Sequence, residues 1–295
     1  MERNGGAASL QKGLYVFTTA ERGKATVLIL GVAMAHLCFA APAVGILTVA
    51  QDGSGDYNGN SELPIQNAVD AARDKGGGAV VLRPGTYILH RGLNLAGRNN
   101  VQIQGEPSVV LKVAPQRVGT VAEDVAAQAQ SIPLDDAADF LPGSRVEIRA
   151  TGRTNTTPSG KKHVIPYVMA VVGRIEGTTL HLQAPLKYAV PKGTKLSMVF
   201  NAVNVRGTTT DLTLSDLTID LNRDEWPLPP LNHTYHCGVF AGGPYSYEKG
   251  PTGPPIERFR ILGCTIRNAH HRGIAWYSVC HSTVYGCTVE DTHAE

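Results

Sequence analysis

Aromatic residues are scarce in this chain of 295 residues, at 6%, whereas 32 residues are glycine and 18 are proline. That composition predicts many short strands joined by tight turns rather than long helices. Positive and negative side chains are nearly balanced, since the net charge is +2. The excess of basic over acidic residues lies within residues 1–43. Because no basic cluster is left to neutralise phosphates, we expect no nucleic-acid partner.

Cysteine pairs of the CxxC type are also absent, which argues against a zinc cluster. After the first fifty residues the cysteines are Cys237, Cys264, Cys280 and Cys287.

The first fifty residues have the pattern of an export segment. A basic stretch ends at Lys24, an apolar core covers residues 25–40, and Ala41-Pro42-Ala43 fits a small-x-small cleavage site. The alternative is an uncleaved anchor, because the apolar run is long enough to span a bilayer. Either interpretation of residues 1–43 predicts a secreted, periplasmic or extracellular protein, with a membrane partner only in the anchored case.

The last third of the chain repeats itself. Gly-Cys-Thr-Ile at 263–266 recurs as Gly-Cys-Thr-Val at 286–289, and Leu-Thr-Ile at 217–219 has the same frame. Residues 235–239 likewise align with residues 270–274. Short alternating strands that recur at this interval are typical of a solenoid, in which each turn stacks on the previous one.

Stacking predicts that Leu217, Cys264 and Cys287 lie above one another inside the solenoid, where cysteine serves as a small apolar residue. A disulfide stays an alternative, because neighbouring strands bring Cα atoms within bridging reach.

Earlier segments fit the same architecture. Residues 62–75 are predicted to form an amphipathic helix that covers the open end of the solenoid, and residues 79–82 a buried strand. Residues 114–200 break the repeat with strand-like segments and predict an inserted small β-barrel or sandwich. The strand-like segments are 131–134, 145–149, 164–175, 178–186 and 195–200.

The segments DGSGDY (52–57), GGGAVVLRPGTY (76–87) and the later GCTI and GCTV motifs resemble the pectate lyase superfamily. The resemblance implies an all-β, right-handed parallel β-helix with an N-terminal capping helix and an inserted β subdomain. The export segment and the break in the repeat divide the chain into residues 1–43, 44–113, 114–200 and 201–295. Because the last repeat stops where its alignment predicts Gly-Ile next, we expect the β-helix to continue beyond a truncated carboxyl end. Because the family includes lyases, hydrolases, epimerases and tailspikes, fold alone does not select an activity.

The repeat also predicts a stripe of polar side chains on neighbouring turns. Asp220, Arg267 and Glu290 share one column. A second group of candidate site residues lies at the following turns: His236, His270, His271, Arg272 and His293.

These residues suit β-elimination on a uronate, which needs a base for the C5 proton and a cation beside the carboxylate. Histidine titrates near neutrality and suits the base, and Arg267, Arg272 or Arg223 would supply the cation. Calcium, common among pectate lyases, would need clustered oxygens, for which Asp220, Asp224 and Glu225 are the candidates.

Hydrolysis would instead need two carboxyl groups, with Asp220 and Asp224, or Glu290 and Asp291, as candidates. The polygalacturonase motifs (NTD, a paired Asp-Asp, GHG, RIK) and the DPHD motif of alginate epimerases are absent. We therefore predict an exported polysaccharide lyase acting on an acidic glycan. The alternatives are a polygalacturonase-like hydrolase and a non-catalytic glycan-binding scaffold.

Overall fold

The structure is a computed structural model that describes residues 45–137, 139–150, 153–156, 160, 162–246 and 250–293. The predicted export segment at residues 1–43 lies outside this part of the chain. Within the described ranges, no helix combines the length and the apolar character needed to cross a membrane.

Three parallel sheets run along the molecule, and four successive rungs contribute one strand to each of them. The first sheet contains, in spatial order, Tyr57–Asn58, Ile46–Ala50, Gly78–Leu82, Val101–Gly105, Thr213–Ser215, Arg260–Leu262 and Thr283–Tyr285. The second contains Thr288–Glu290, Thr265–Arg267, Thr218–Asp220, Val109–Val113 and Gly85–Leu89. The third contains Ile274–Tyr277, Val239–Gly242, Val203–Arg206 and Leu93–Asn94. This topology is a parallel β-helix, as the sequence predicted.

Strand registers confirm the interval of the repeat. Thr265 pairs with Thr288, and Arg260 pairs with Thr283, in the parallel ladders of the second and first sheets. The glycine of the repeated motif follows from backbone geometry, because Gly263 and Gly286 have φ of 61° and 65° at the turn between these sheets. Glycine adopts such left-handed conformations without steric cost.

The predicted column of Leu217, Cys264 and Cys287 is also present. The Thr265 N–H donates to the Leu217 carbonyl, and the Thr288 N–H donates to the Cys264 carbonyl, each at 2.9 Å. All four described cysteines are free thiols. Burial raises the pKa of Cys264 to about 11, so its thiol remains protonated in the core at neutral pH.

A helix from Glu62 to Asp74 covers the amino-terminal end of the β-helix. Ser61 caps its first turn, and Ile65, Val69 and Ala72 are buried against the first rungs. The apolar spacing therefore located this element to within one residue at its carboxyl end.

The inserted subdomain interrupts the third rung between its second and third sheets. Its antiparallel strands, in spatial order, are Val118–Thr120, Lys195–Met198, Arg145–Ile148, Val168–Glu176, Thr179–Leu182 and Ser131–Pro133. A bridge between Val121 and Leu134 joins the two outer strands, so the sheet closes around its own apolar core.

The prediction for one strand of the subdomain was wrong in its extent. Residues 164–175 do not form one strand, because the backbone leaves the ladder at Pro166 and Tyr167. Arg153–Thr156 and Lys162–Ile165 form a separate hairpin. Proline lacks the N–H that a continuous ladder needs, which explains the break.

Two short pairs complete the described structure. Ile256–Glu257 pairs in parallel with Val279–Cys280, and Tyr245–Ser246 pairs antiparallel with Gly250–Pro251.

Candidate functional site

A long loop, residues 221–238, interrupts the fourth rung at the same corner where the inserted subdomain interrupts the third. The loop begins with a short 3-10 helix, Arg223–Glu225, and then buries Trp226. The indole N–H of Trp226 donates to the Ala114 carbonyl at 3.0 Å, and its ring lies against Phe200. The loop is therefore anchored to the β-helix at its start.

A buried acid anchors the middle of the loop to the inserted subdomain. The two carboxylate oxygens of Glu147, which is fully buried, accept the backbone N–H groups of Leu231 and Asn232 at 2.8 and 2.9 Å. The loop thus bridges the subdomain and the β-helix.

His236, a predicted catalytic base, lies beneath the surface and is fully buried. Its ring packs 4.1 Å from Trp226 and 4.9 Å from His270, measured between ring centroids. Its Nδ1 accepts the backbone N–H of His270 at 2.9 Å, which places the proton of the neutral ring on Nε2. Burial lowers its pKa well below the usual value, and the neighbouring His270 adds to that shift. Because a base must contact its substrate, the predicted direct role does not suit an imidazole with none of its surface exposed.

The turn of the next rung contains His270, His271 and Arg272, as predicted. Each of these side chains forms a hydrogen bond with a backbone carbonyl of the loop. The Nε2 atom of His270 lies 2.9 Å from the Trp226 carbonyl, and that of His271 lies 2.8 Å from the Pro230 carbonyl. Arg272 donates to the His233 carbonyl at 3.1 Å. Burial lowers the pKa of both histidines, so they are largely neutral at pH 7.

The predicted column of Asp220, Arg267 and Glu290 is present in the second sheet. Among the described residues, Arg267 pairs with Asp220 at 3.1 Å rather than with Glu290. Burial would raise the pKa of Asp220, but bonds from Asn268, the Asn222 N–H and Arg267 outweigh it and lower that pKa. Asp220 is therefore an ionised carboxylate with its oxygens already occupied.

The candidate calcium ligands do not gather into a site. Asp220 is buried and bonded as described, whereas Asp224 points into solvent with 97% of its side chain exposed, and Glu225 is also exposed. Among the described residues, the side chains whose ligand atoms lie close enough together to hold a metal ion do not include any of these three. This donor set does not fit a calcium ion.

A different feature has the character of a binding site. Between the third sheet and the inserted subdomain lies a pocket of about 280 Å³, which we call the cationic pocket. Its walls are Arg91, Gly92, Leu93, Asn94, Gly143, Ser144, Arg145, Met198, Val199, Phe200, Asn201, Asn204, Arg206 and Tyr235. Three of these residues are arginines, and none of these described residues is acidic.

Each arginine of the cationic pocket has a defined support. The Arg206 guanidinium lies 4.4 Å above the Phe240 ring, and that of Arg145 lies 5.9 Å from the Tyr235 ring. Arg91 donates to the Pro142 carbonyl at 3.1 Å and lies 3.7 Å from the buried Glu62 carboxylate. Desolvation lowers the pKa of Arg206, and the charge of Arg145 acts in the same direction. An anion bound near both arginines would offset the repulsion between their charges.

Ser144 adds an uncommitted polar group. It is buried in the pocket wall, and its hydroxyl oxygen has no hydrogen-bond partner among the described residues. A buried hydroxyl without a partner is unfavourable, so a ligand hydroxyl at this position would be stabilising.

None of the predicted site residues lines the cationic pocket, and sequence analysis did not single out its arginines. The alternation Val-Asn-Val-Arg at Val203–Arg206 contained a signal, since Val203 and Val205 are buried and Asn204 and Arg206 face outward. No comparable pattern in the neighbouring sequence indicated that Arg91 and Arg145 would line the pocket.

Comparisons with known proteins found similar chains among solved structures. No family model matches the chain, and no curated protein matches it. Among solved structures, the chain is similar to the Pseudomonas phage phi297 tailspike gp61 at 12% identity and a TM-score of 0.24, covering 76% of this chain and 44% of that one. The A-module of Azotobacter vinelandii mannuronan C-5 epimerase AlgE6 is similar at 16% identity and a TM-score of 0.38, covering 79% and 45%.

The gp54 tailspike of Acinetobacter baumannii bacteriophage AP22, whose structure is a complex with a capsular saccharide, is similar at 12% identity and a TM-score of 0.22, covering 78% of this chain and 48% of that one. The chain thus spans less than half the length of each of these three proteins.

Proposed function

We propose that this chain is an exported carbohydrate-active β-helix protein of the pectate lyase superfamily that binds an acidic glycan and cleaves it by β-elimination. The cationic pocket, with three arginines and no acidic side chain among the described residues of its wall, is the observation that carries this proposal.

A uronate carboxylate matches this pocket in charge. The planar guanidinium group binds carboxylates through two parallel hydrogen bonds, and stacking on an aromatic ring holds it in place. Arg206 and Arg145 have such aromatic neighbours, whereas Arg91 is partly neutralised by Glu62. Arg206 and Arg145 are therefore the proposed carboxylate ligands.

The volume indicates how much of a polymer the pocket holds. Sites that enclose a drug-sized ligand usually measure several hundred cubic ångströms or more. The cationic pocket, at about 280 Å³, therefore suits one sugar residue rather than a long segment. The neighbouring residues of the glycan would continue along the surface between the third sheet and the inserted subdomain.

β-Elimination requires a specific sequence of electron movements. A base removes the C5 proton, the electron pair forms the C4=C5 double bond, and the C4–O bond breaks with its electrons on the departing oxygen, which then takes a proton. Arginines that neutralise the carboxylate stabilise the charge that develops there once the C5 proton leaves.

Tyr235 is the proton-transfer group that the pocket itself supplies. Tyrosine serves as a general acid or base in enzymes, and Tyr235 lies in the wall with the Arg145 charge near its ring. No histidine occurs among the described residues of the wall, so the predicted base role of His270 or His271 is replaced in this proposal by Tyr235.

The hydrolase alternative receives no comparable support. Glycoside hydrolysis needs two carboxyl groups beside the scissile bond, and the cationic pocket wall has none among its described residues.

The test uses the full chain with polymers of different uronates and with a neutral polysaccharide as the control substrate. Turnover is followed by the ultraviolet absorbance of the double bond conjugated with the carboxylate, and by the release of reducing ends. We expect both signals on a uronate polymer and neither on the neutral one. Tyr235→Phe should abolish both signals while it retains binding.

Other outcomes separate the alternatives. Reducing ends without the absorbance would indicate hydrolysis, and binding without either signal would indicate a scaffold that binds glycan. If no uronate polymer binds, the assignment of the cationic pocket is wrong.

A further inference from the structure

Three residues with metal-ligand chemistry meet at another corner of the β-helix. A carboxylate oxygen of Glu257, the Cys280 thiol and a ring nitrogen of His281 all lie within 4.8 Å of one another. None of the three lines the cationic pocket, and none belongs to the loop at residues 221–238. The absence of CxxC pairs in the sequence argues against a zinc cluster, yet that argument does not cover ligands that the rungs bring together.

Strand register explains how these residues come together. Glu257 pairs directly with Cys280 in the short parallel ladder that joins two successive rungs. Directly paired residues extend their side chains from the same face of a sheet. Consecutive residues of a strand would point to opposite faces, but His281 leaves the strand with a left-handed backbone, at φ of 49°.

That left-handed backbone is a regular feature of the corner, since Asp211 and Arg258 adopt it at the equivalent positions, with φ of 54° and 52°. The fold therefore fixes the position of His281 relative to Cys280.

The Glu257 carboxylate is bonded to two neighbours, the Cys280 side chain and Arg258, and an ion would replace the first of these bonds. Arg258 lies beside it, with 2.9 Å between Nη1 and Oε2 of Glu257. The same guanidinium makes two bonds of 2.7 Å to the carboxylate of Asp211, so its charge already has a two-point partner. Glu257 and Cys280 are half-buried and His281 is exposed, which lets an ion reach the ligands from solvent.

We propose that Glu257, Cys280 and His281 bind a zinc-class divalent ion that joins two successive rungs of the β-helix. Thiolate, imidazole and carboxylate are the three ligand types that zinc takes from proteins, and a water would complete the tetrahedron. Zn–ligand bonds of about 2.0–2.3 Å separate tetrahedral ligand atoms by about 3.3–3.8 Å. The observed spacing therefore needs only a small side-chain adjustment.

The consequence is stabilisation of the rungs that the ion joins. Glu257 precedes the strand Arg260–Leu262, and Cys280 and His281 precede Thr283–Tyr285, so the ion links two consecutive coils of the repeat. Binding to the folded chain alone raises the stability of the fold with ion concentration.

The experiment titrates the full chain, reduced and metal-free, with Co²⁺ and then with Zn²⁺. We expect a thiolate-to-cobalt charge-transfer band at one equivalent, loss of that band when Zn²⁺ displaces Co²⁺, and a rise in Tm with Zn²⁺. Cys280→Ser should abolish the band, and His281→Ala should weaken binding at least tenfold. Cys287→Ser is the matched control, because Cys287 has similar exposure and should leave both readouts unchanged.

His281→Ala also tests whether misfolding explains a loss of metal binding. Because this variant removes an exposed side chain, its circular dichroism spectrum should stay unchanged. A band that persists in Cys280→Ser, affinity that is equal in His281→Ala and the unaltered chain, or the absence of any band would each overturn the proposal.

Discussion

The Nδ1 atom of His236 accepts the backbone N–H of His270 at 2.9 Å, and this bond joins the long loop of one rung to the turn of the next. The two residues are 34 positions apart in the sequence. The same turn fastens the loop through the side chains of His270, His271 and Arg272. We infer that this histidine-rich corner holds the loop in position, and the loop in turn presents Tyr235 to the cationic pocket.

His236→Ala should therefore destabilise the protein. The substitution leaves a cavity beside Trp226 and removes the acceptor of the partly buried His270 N–H, which together predict a loss of about 2–4 kcal/mol in the free energy of unfolding. His236→Asn, whose side-chain oxygen can replace Nδ1 as an acceptor, should recover part of that loss. Urea denaturation measures both.

The control is His233→Ala, because the His233 side chain is exposed and its ring lies 6.5 Å from that of His271, measured between centroids. We expect a change below about 0.5 kcal/mol for this variant. Equal losses for His233→Ala and His236→Ala would contradict the anchoring role of His236.

Stability should fall as the pH decreases below about 6.5. Burial lowers the pKa of His236 in the folded state, so the unfolded chain binds a proton at a higher pH than the folded chain does. Stability therefore rises with pH over the interval between the folded and unfolded pKa values of His236, with a slope of up to about 1.4 kcal/mol per pH unit. His270 and His271 shift in the same direction.

Urea denaturation at several pH values from about 5 to 8 measures this slope, and His236→Asn should make it shallower. Asp220 contributes at lower pH, because its pKa is depressed and its stabilisation is lost only as the pH falls below about 4. A stability profile that is flat between about pH 5 and 7 would show that the buried histidine does not control folding.

Gly238→Ala should be strongly destabilising. A Cβ atom at this position would lie 2.3 Å from a methyl group of Ile266 and 2.6 Å from the Gly273 carbonyl oxygen. Both neighbours belong to the next rung, which cannot move away without breaking its own ladder. We expect a loss of more than about 2 kcal/mol, measured by thermal or urea unfolding.

Gly207→Ala is a suitable comparison, because nothing lies within 4 Å of a Cβ at that position. Its φ of 74° is positive. The cost of the substitution should come from that backbone conformation and stay at about 1 kcal/mol. If Gly238→Ala were as stable as Gly207→Ala, the close stacking of these rungs would be incorrect.

The repeating parts of the fold were accessible from sequence because their information is local. The repeated Gly-Cys-Thr motif placed Cys264 and Cys287 in one column, and the apolar spacing of Ile65, Val69 and Ala72 located the capping helix. Both features depend on residues that are close in sequence or related by one repeat.

The cationic pocket was not accessible in this way. Arg91 follows a strand of the second sheet, Arg145 belongs to the inserted subdomain, and Arg206 belongs to the third sheet. Their proximity depends on how the subdomain packs on the β-helix, which no repeat or spacing encodes. The predicted histidines did come together, but the hydrogen bonds that occupy them became visible only with the path of the loop.

Arg206→Ala should weaken binding of a uronate polymer at least tenfold, because it removes the guanidinium that lies above Phe240 in the cationic pocket. Tenfold corresponds to about 1.4 kcal/mol, within the range of one charge-assisted hydrogen bond. Arg206→Lys should recover only part of the affinity, since an ammonium group keeps the charge but not the planar pair of donors. Isothermal titration calorimetry at two salt concentrations measures both, with the difference between variants shrinking at high salt.

Arg174→Ala is the matched control for Arg206→Ala, because it removes the same charge from an exposed strand position where Arg174 pairs with Glu176. Arg174 does not line the cationic pocket, so we expect its loss to change affinity less than twofold. Equal weakening by the two variants would mean that the polymer responds to net charge alone. In that case, the pocket between the third sheet and the inserted subdomain would not be the carboxylate site, whether or not the chain cleaves its glycan.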